Sequence, residues 1–486
     1  MKRTIVCLLA TVSVTAFACG AKIEVQANTQ PPAQIGTDPP PAIEQDASAD
    51  APVTQPSCGG LLPTPTCGTL KDAPTSQTAI NAFVKENAIP IRCEAPGGKS
   101  AWDLRPLVDL YGAQKIFAIG EVHGTNEIGI VSSLAFDELA TKKLVNVVAF
   151  EMPMDFEAPL QRYVDTGSDP QADQLIKYFA KNMFGSILTR SARDQVVKGN
   201  KITVGAVDIP QDPQFAVRAI QAVATGLVTQ QSTVLATLPT GVAENPSATD
   251  IANVKTYFDH IIANKTQICT ELSANDCDRL VAMTHALWAS TLAYDESEAQ
   301  SQLWFSRREE VIYFNMKSKM PTASDRMFLH MGAFHTNKHV ASAGSRMANE
   351  YTLTKGQVFS VAPAYGDGSV IWYGQDMDLP GEPTTITGAL TDKPTQTFFV
   401  SPTRPSATCV SNPFGEESDE TVGVGGSRSD LYDGYIHYGT LTSERRPSEA
   451  TLSRELGAKG MKEMAGLEAF RARIAKKERS ALGIRR

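Results

Sequence analysis

Residues 115–127 read Lys-Ile-Phe-Ala-Ile-Gly-Glu-Val-His-Gly-Thr-Asn-Glu. Residues 116–119 are a short apolar run of the kind found in strands buried on both faces, as in a parallel sheet. The run stops at Gly120, and Glu121 and His123 follow in a small-residue turn closed by Gly124. From Glu127 onward Ile128, Val131, Leu134 and Leu139 recur at roughly helical spacing, with Asn126 as the expected N-cap. A strand, a tight turn carrying a carboxylate and an imidazole, then a helix: open α/β sheets place ligands there, beyond the carboxyl ends of their strands. A surface turn that holds a Glu and a His by chance is the plainer alternative, and the flanking segments discriminate between the two.

The unit repeats. Residues 145–150 form a second apolar run ending in Glu151-Met152-Pro153, followed by a helical stretch over 156–164. Residues 170–200 read as helical, and 202–207 as a third strand ending at Asp208-Ile209-Pro210. A long, mainly helical section covers 213–320. A fourth strand, 326–331, then runs into Gly332-Ala333-Phe334-His335-Thr336-Asn337-Lys338. Residues 358–362 and 370–373, with Gly366-Asp367-Gly368 between them, predict a hairpin at the far edge of the sheet. Alternation of this kind predicts an α/β fold over residues 76–400: a mostly parallel sheet flanked by helices, with a large helical insertion between its third and fourth strands. That insertion is expected to roof the crevice and select what enters it.

The two ends read differently. Residues 1–18 carry Lys2 and Arg3 followed by an apolar stretch, the pattern of an export signal, and no later segment has the ~18 uninterrupted apolar residues of a membrane span. Ala16-Phe17-Ala18 fits ordinary signal cleavage. Cys19-Gly20 fits a bacterial lipobox, with Ala16 where that motif usually has Leu, so Cys19 is expected to carry a lipid. Residues 19–75, rich in Pro, Ala, Thr and Gln, bury too little to order themselves and predict a disordered tether. Of eight cysteines, removing Cys7 with the signal and Cys19 to the lipid leaves six, compatible with three disulfides outside the cytoplasm. Cys58–Cys67 and Cys269–Cys277 are the economical local pairs, leaving Cys93–Cys409 to clamp the domain ends. Residues 401–447 read as a Gly/Ser-rich loop. Residues 448–486, with ten Lys or Arg against five Asp or Glu, read as a basic, solvated helical tail.

What sits just past each expected strand carries the chemistry: Glu121 and His123, then Glu151, then Asp208, then His335. Parallel neighbours would gather these groups in one crevice. There a carboxylate can hold a histidine as a base for water, or two His and two carboxylates can hold a divalent metal. Each has a plainer role available. Glu151 suits a turn hydrogen bond, Asp208 a helix cap, His330 a place in the core, and Arg307-Arg308-Glu309-Glu310 an exposed charged face. His260 and His285 lie in helical stretches and read as structural. A net charge of −8 and the absence of a basic stripe argue against nucleic acid. A small-molecule substrate is the expected partner, with membrane contact only through the lipid on Cys19. Serine-elbow, His-Glu-x-x-His and phosphate-loop motifs are absent from the chain.

Gly120-Glu121-Val122-His123-Gly124-Thr125, Phe150-Glu151 and Tyr163-Val164-Asp165-Thr166-Gly167 together resemble the erythromycin esterase-like proteins. Gly205-Ala206-Val207-Asp208, Arg308-Glu309 with Asn315, and Gly332-Ala333-Phe334-His335 are similar to later motifs of that family. The resemblance spans roughly 100–375 and extends to the Tiki-type metal-dependent proteases and ChaN-type haem-binding lipoproteins, which share Gly-Glu-x-His and a late Gly-x-x-His. The esterase motif separates its Glu and His by two residues, whereas only Val122 intervenes here, as in the Tiki and ChaN branches. The esterase branch implies an exported hydrolase that needs no cofactor, with His123 as general base and Glu121 and Glu151 orienting it. His335 and Arg308 would then lie near the developing oxyanion, and Asp208 and Asn337 on the substrate. The metal branch implies Glu121, His123, Glu151 and His335 around one divalent ion, and the ChaN branch a non-catalytic haem or iron binder.

Overall fold

Ile116–Glu121 is a strand whose first five residues are buried, and every other strand that matters to the site is placed relative to it. The computed structural model describes residues 66–482 except 96–98, 179–185, 296, 298–299, 373–374, 380–384, 393–396, 402–408, 410–417, 420–423, 428–430 and 444–447. The expected signal, Cys19, Cys58 and most of the tether lie outside the described residues.

The central sheet is built from β1 (Ile89–Pro90), β2 (Ile116–Glu121), β3 (Val147–Pro153), β4 (Thr203–Asp208), β5 (Met327–Gly332), β6 (Val358–Ala364), β7 (Phe398–Val400) and β8 (Gly434–His437). Their order across the sheet is β1-β7-β8-β6-β2-β5-β3-β4. β2 pairs in parallel with β5 and β6, β5 with β3, β3 with β4, and β6 with β8; only β1 and β7 add antiparallel pairs at one edge. The interior strands read as continuous apolar runs because helices cover both faces. Phe117, Phe136, Phe150 and Phe328 are fully buried on one side of the sheet, and Ile116, Ala149, Ile312 and Met327 on the other. The predicted α/β class and mostly parallel sheet are therefore present.

The helical insertion runs between β4 and β5. It includes α2 (Pro213–Ala224), α3 (Ala248–Cys269), α4 (Ala274–Leu292) and α5 (Ser301–Lys319), packed around a cluster of their own that includes Tyr257, Trp288 and Trp304. On α5 the buried positions Trp304, Phe305, Arg308, Glu309, Val311, Ile312, Asn315 and Met316 form one helical stripe. The run Arg307-Arg308-Glu309-Glu310 is therefore split by the helix: its middle pair points inward.

Four expectations are corrected. Residues 358–373 are not a hairpin. β6 lies beside β2 inside the sheet, and Asp367–Trp372 joins a separate three-stranded sheet with Gln375–Leu379 and Thr440–Leu441. The segment 401–447 is not merely a loop: β8 inserts between β6 and β7, so the α/β domain continues past residue 400. Cys67 pairs with Cys409, which excludes both Cys58–Cys67 and Cys93–Cys409. The described chain from Cys67 runs alongside residue 409, Lys71 donating its backbone N–H to the Cys409 carbonyl at 2.9 Å, so path rather than loop length sets the pair. Cys93 is itself disulfide-bonded, and Cys269–Cys277 forms as expected between α3 and α4.

The fourth correction is the tail. It is helical, α6 (Glu449–Leu482), with a break at Gly457, where φ is +65°. It is not solvated all round. Met464, Leu467, Phe470, Ile474 and Ala481 are buried against the sheet's helices and the insertion. The basic residues dominated the composition, but they are distributed around a stripe at helical spacing that seals the helix down. No helix among the described residues is long and apolar enough to cross a membrane.

Candidate active site

The strand register brings the expected groups together. Glu121, the last residue of β2, aligns with Gly332, the last of β5, while Phe150 on β3 aligns with His330 on β5. Glu121 and His123, Glu151, and His335 therefore emerge at the same carboxyl edge from three adjacent strands. Asp208 ends β4, one strand further out.

Two linked clusters result. In the first, Glu121 lies between two histidines: Oε1 is 2.9 Å from His123 Nδ1 and Oε2 is 2.8 Å from His330 Nε2. Burial alone would raise the Glu121 carboxyl, but His330 and His123 outweigh it and hold it well below the usual carboxylate range. For His123 burial works downward, and Glu121 and Glu151 outweigh it, so the imidazole is raised above its ordinary value. Its Nε2 faces Glu151 Oε2 at 3.7 Å.

The second cluster is built on Arg308, whose side chain is wholly buried. Its Nε and Nη2 donate to the two oxygens of Asp208 at 2.8 and 3.0 Å, a fork-to-fork pair, and Nη2 also donates to Glu151. Its Nη1 donates to Glu478 Oε2 at 3.0 Å. The guanidinium carbon stands 5.5 Å over the Trp304 ring. His335 Nδ1 is 2.6 Å from Glu309, and its Nε2 is 3.1 Å from Glu478 and 3.8 Å from Glu151. Burial lowers the His335 imidazole, but Glu309 leads a set of carboxylates that raise it well above the ordinary value. Glu151 bridges the clusters: besides Arg308 it accepts the Gly332 N–H at 2.8 Å, and Arg308 first among the cations overcomes burial to hold it far down the carboxylate range.

Gly332 leaves a small space among these groups. A side chain starting there would meet Glu151 Oε2 at 3.2 Å, His335 Cδ2 at 3.5 Å and His123 Nε2 at 3.8 Å. Glycine at this position therefore lets the three side chains close over the strand end with no Cβ between them.

Asp208 and Asn337 do other work than direct substrate contact. Asp208 gives both oxygens to Arg308 and one also to the Ile209 N–H at 2.7 Å. Asn337 is fully buried. Its amide donates to the Phe334 carbonyl and its oxygen accepts the backbone N–H groups of His339 and Val340, so it holds the turn after the short helix Ala333–Thr336. Asn126 does not cap its helix, α1 (Asn126–Thr141): Thr125 is the N-cap residue, and the Asn126 amide instead donates to Ser443 O at 2.7 Å. His260 and His285 stay in the helical insertion, the latter edge-on to Phe258 at 5.0 Å.

Four participants escape the sequence reading. His330 was read as a core histidine because it sits inside the strand, and it is buried as such, yet its ring reaches Glu121. Glu309 accepts the Ala343 N–H at 2.6 Å and faces His335. Glu478 arrives from α6, and Arg471, two turns earlier on the same face, lies close enough to His123 for its charge to oppose protonation there. The signal for both was their register with the stripe Leu467, Phe470, Ile474 and Ala481.

The four-residue metal shell does not fit this arrangement. Among the described residues, Glu121, His123 and Glu151 can converge on one point, and Glu151, His335 and Glu478 on another, but His123 and His335 do not share a group. In the second group Glu151 and Glu478 already hold a cation, the Arg308 guanidinium.

No protein-family profile matches the chain, and no curated protein matches its sequence. Among solved structures it is similar to an erythromycin esterase, EreC, in its open conformation, with a TM-score of 0.52 at 10% identity over 73% of this chain and 98% of that one. The fold is that of the erythromycin esterase-like proteins. A succinoglycan biosynthesis protein and a Bacillus cereus protein share it, with TM-scores of 0.54 and 0.52, each at 14% identity over 77% of this chain and 100% of the other. On this erythromycin esterase-like fold the chain places its own carboxylates and histidines at the strand ends, and α6 lies against them.

Proposed function

We propose that this protein is an exported hydrolase that activates water with His123 to cleave an ester or related acyl bond of a small molecule. The observation that carries the proposal is the bracing of His123: Glu121, itself fixed by His330, holds Nδ1, which leaves Nε2 turned toward Glu151 Oε2, 3.7 Å away. In the proposed step, a water beside Nε2 gives its proton to His123 Nε2 as its oxygen attacks the acyl carbon. The carbonyl electrons move to oxygen, where the Arg308 guanidinium and the His335 ring stabilise them as donors. Collapse expels the alcohol, which takes the proton back from His123, leaving a carboxylic acid.

His123 must be neutral to accept that proton, and its pKa is raised above 6.5. Hydrolysis of an aryl ester is therefore expected to be slow in acid and to climb as pH rises through that elevated value. A chelator is expected to leave the rate unchanged. Activity that vanishes with the chelator and returns with a divalent ion would replace this mechanism with metal-bound water at Glu121, His123 and Glu151. The two described disulfides accord with an oxidising compartment. Anchoring through a lipid on Cys19 belongs to the same proposal: the N-terminal peptide is expected to carry that mass by mass spectrometry, and an unmodified Cys19 would reject it.

A further inference from the structure

Glu478 occupies a position that a side chain from a peripheral helix has no structural need to reach. Asp208 and Glu151 already satisfy Nε and Nη2 of Arg308, and Nη1 lies 3.0 Å from both Glu478 Oε2 and His335 Nε2. The other oxygen, Oε1, is 3.1 Å from His335 Nε2. Glu309 sits 2.6 Å from the opposite ring nitrogen, so His335 has a carboxylate on each side, and Arg308 Nη1 also lies 3.0 Å from Nε2. Each oxygen of Glu478 thus faces a different basic side chain. The cations are 0% exposed and the Glu478 side chain is 18% exposed, so this carboxylate stands between them and solvent.

The rest of α6 is fastened elsewhere. Met464, Leu467 and Phe470 are buried, Tyr178 donates to Glu468 at 2.5 Å, and Arg473 stacks on Tyr294 at 4.8 Å. Rotation of the Glu478 side chain would open the seat without unseating the helix. Arg471, on the same face, adds positive charge on the His123 side of the crevice.

We infer that Arg308 and His335 form a carboxylate-binding subsite, which Glu478 fills in the resting chain in place of a ligand's own carboxylate. The ligands it takes are small carboxylates, including the acid released by ester hydrolysis; that last clause alone rests on the hydrolase reading. A ligand carboxylate would replace both contacts that Glu478 makes, one per oxygen, whereas a neutral ligand would replace neither charge interaction.

The test uses the full chain with Glu478→Ala, which removes the occupant and leaves space for acetate. In chloride the variant is expected to melt below the unsubstituted protein. Acetate or formate at equal ionic strength should raise its melting temperature saturably, by several degrees, while leaving the unsubstituted protein unmoved. Adding His335→Asn to the variant should abolish that response. Acetate that acts no differently from chloride, or that stabilises both proteins alike, would overturn the inference. If Glu478→Ala does not fold, Glu478→Gln keeps the shape without the charge, and calorimetry should then find acetate binding at least tenfold tighter than to the unsubstituted chain; equal binding would overturn it. Binding is read without turnover. Acetate seated in a protein that hydrolyses no ester would sink the hydrolase reading alone, and hydrolysis without acetate binding would sink this inference alone.

Discussion

Replacing His123 with alanine is expected to lower hydrolysis of an aryl ester by about 10²- to 10⁴-fold, the range general-base catalysis contributes. The melting temperature should stay within a few degrees of its original value. His123 lies in the turn after β2 and touches carboxylates, not the aromatic core, so removing it leaves no apolar cavity. It does leave Glu121 with one partner instead of two, and His330, still 2.8 Å away, continues to stabilise that carboxylate. A variant with full activity would show that the crevice has been misread. One that fails to fold would show that the Glu121 pair carries the strand end. The pH profile adds a second check. The base limb assigned to the raised His123 pKa should disappear with the residue, leaving whatever residual rate remains flat across that window.

The larger effect on stability is expected at Arg308. Arg308→Met keeps an unbranched side chain but strands Asp208, Glu151 and Glu478 without their common cation. Removing one partner of a buried ionic network costs about 3–5 kcal/mol, far more than losing an exposed pair, because the remaining charges stay out of water. Denaturant unfolding should register that loss at neutral pH. Its pH dependence has a definite sign. Glu151 and Glu478 have depressed pKa values in the folded protein, so the stabilisation they draw from Arg308 is full above the unfolded carboxylate value, ~4.3, and fades as pH falls through the folded values. The gap between the two proteins should therefore narrow in acid. Arg308→Lys should recover only part of the loss, since a point charge cannot reproduce the fork to Asp208 while also reaching Glu151 and Glu478. An unchanged unfolding midpoint for Arg308→Met would refute the network's structural role.

The strand ends were legible because the chain breaks from a mainly apolar run to an ionisable residue four times, and parallel pairing then forces those residues to one edge. That logic located Glu121, His123, Glu151, Asp208 and His335 without any side-chain information. It could not reach His330. Inside a strand buried on both faces, a histidine that reaches a carboxylate and one that packs look the same from sequence. Glu309 was hidden by a different ambiguity, and Arg308 was reached only through the family resemblance: four consecutive charges look solvated until the apolar residues on either side are counted at helical spacing. Glu478 was obscured by composition, since the basic residues of α6 outvoted its thin apolar stripe. β8 and the Cys67–Cys409 bridge depend on where distant chain segments happen to run, and short-range economy carries no information about that.

The position of β5 has a consequence for how the molecule comes into being. It is the strand between β2 and β3, yet it is made only after the entire helical insertion. A growing chain that has just produced β4 holds the neighbours of a slot whose filling does not yet exist. Contacts of such long sequence separation are slow to form, because the intervening chain must be ordered first. The floor of the crevice, Gly332 and His335, closes late, and Glu478 is added later still. The arrangement of His123 with Glu121, His330 and Glu151 therefore cannot assemble in any nascent form that stops short of β5.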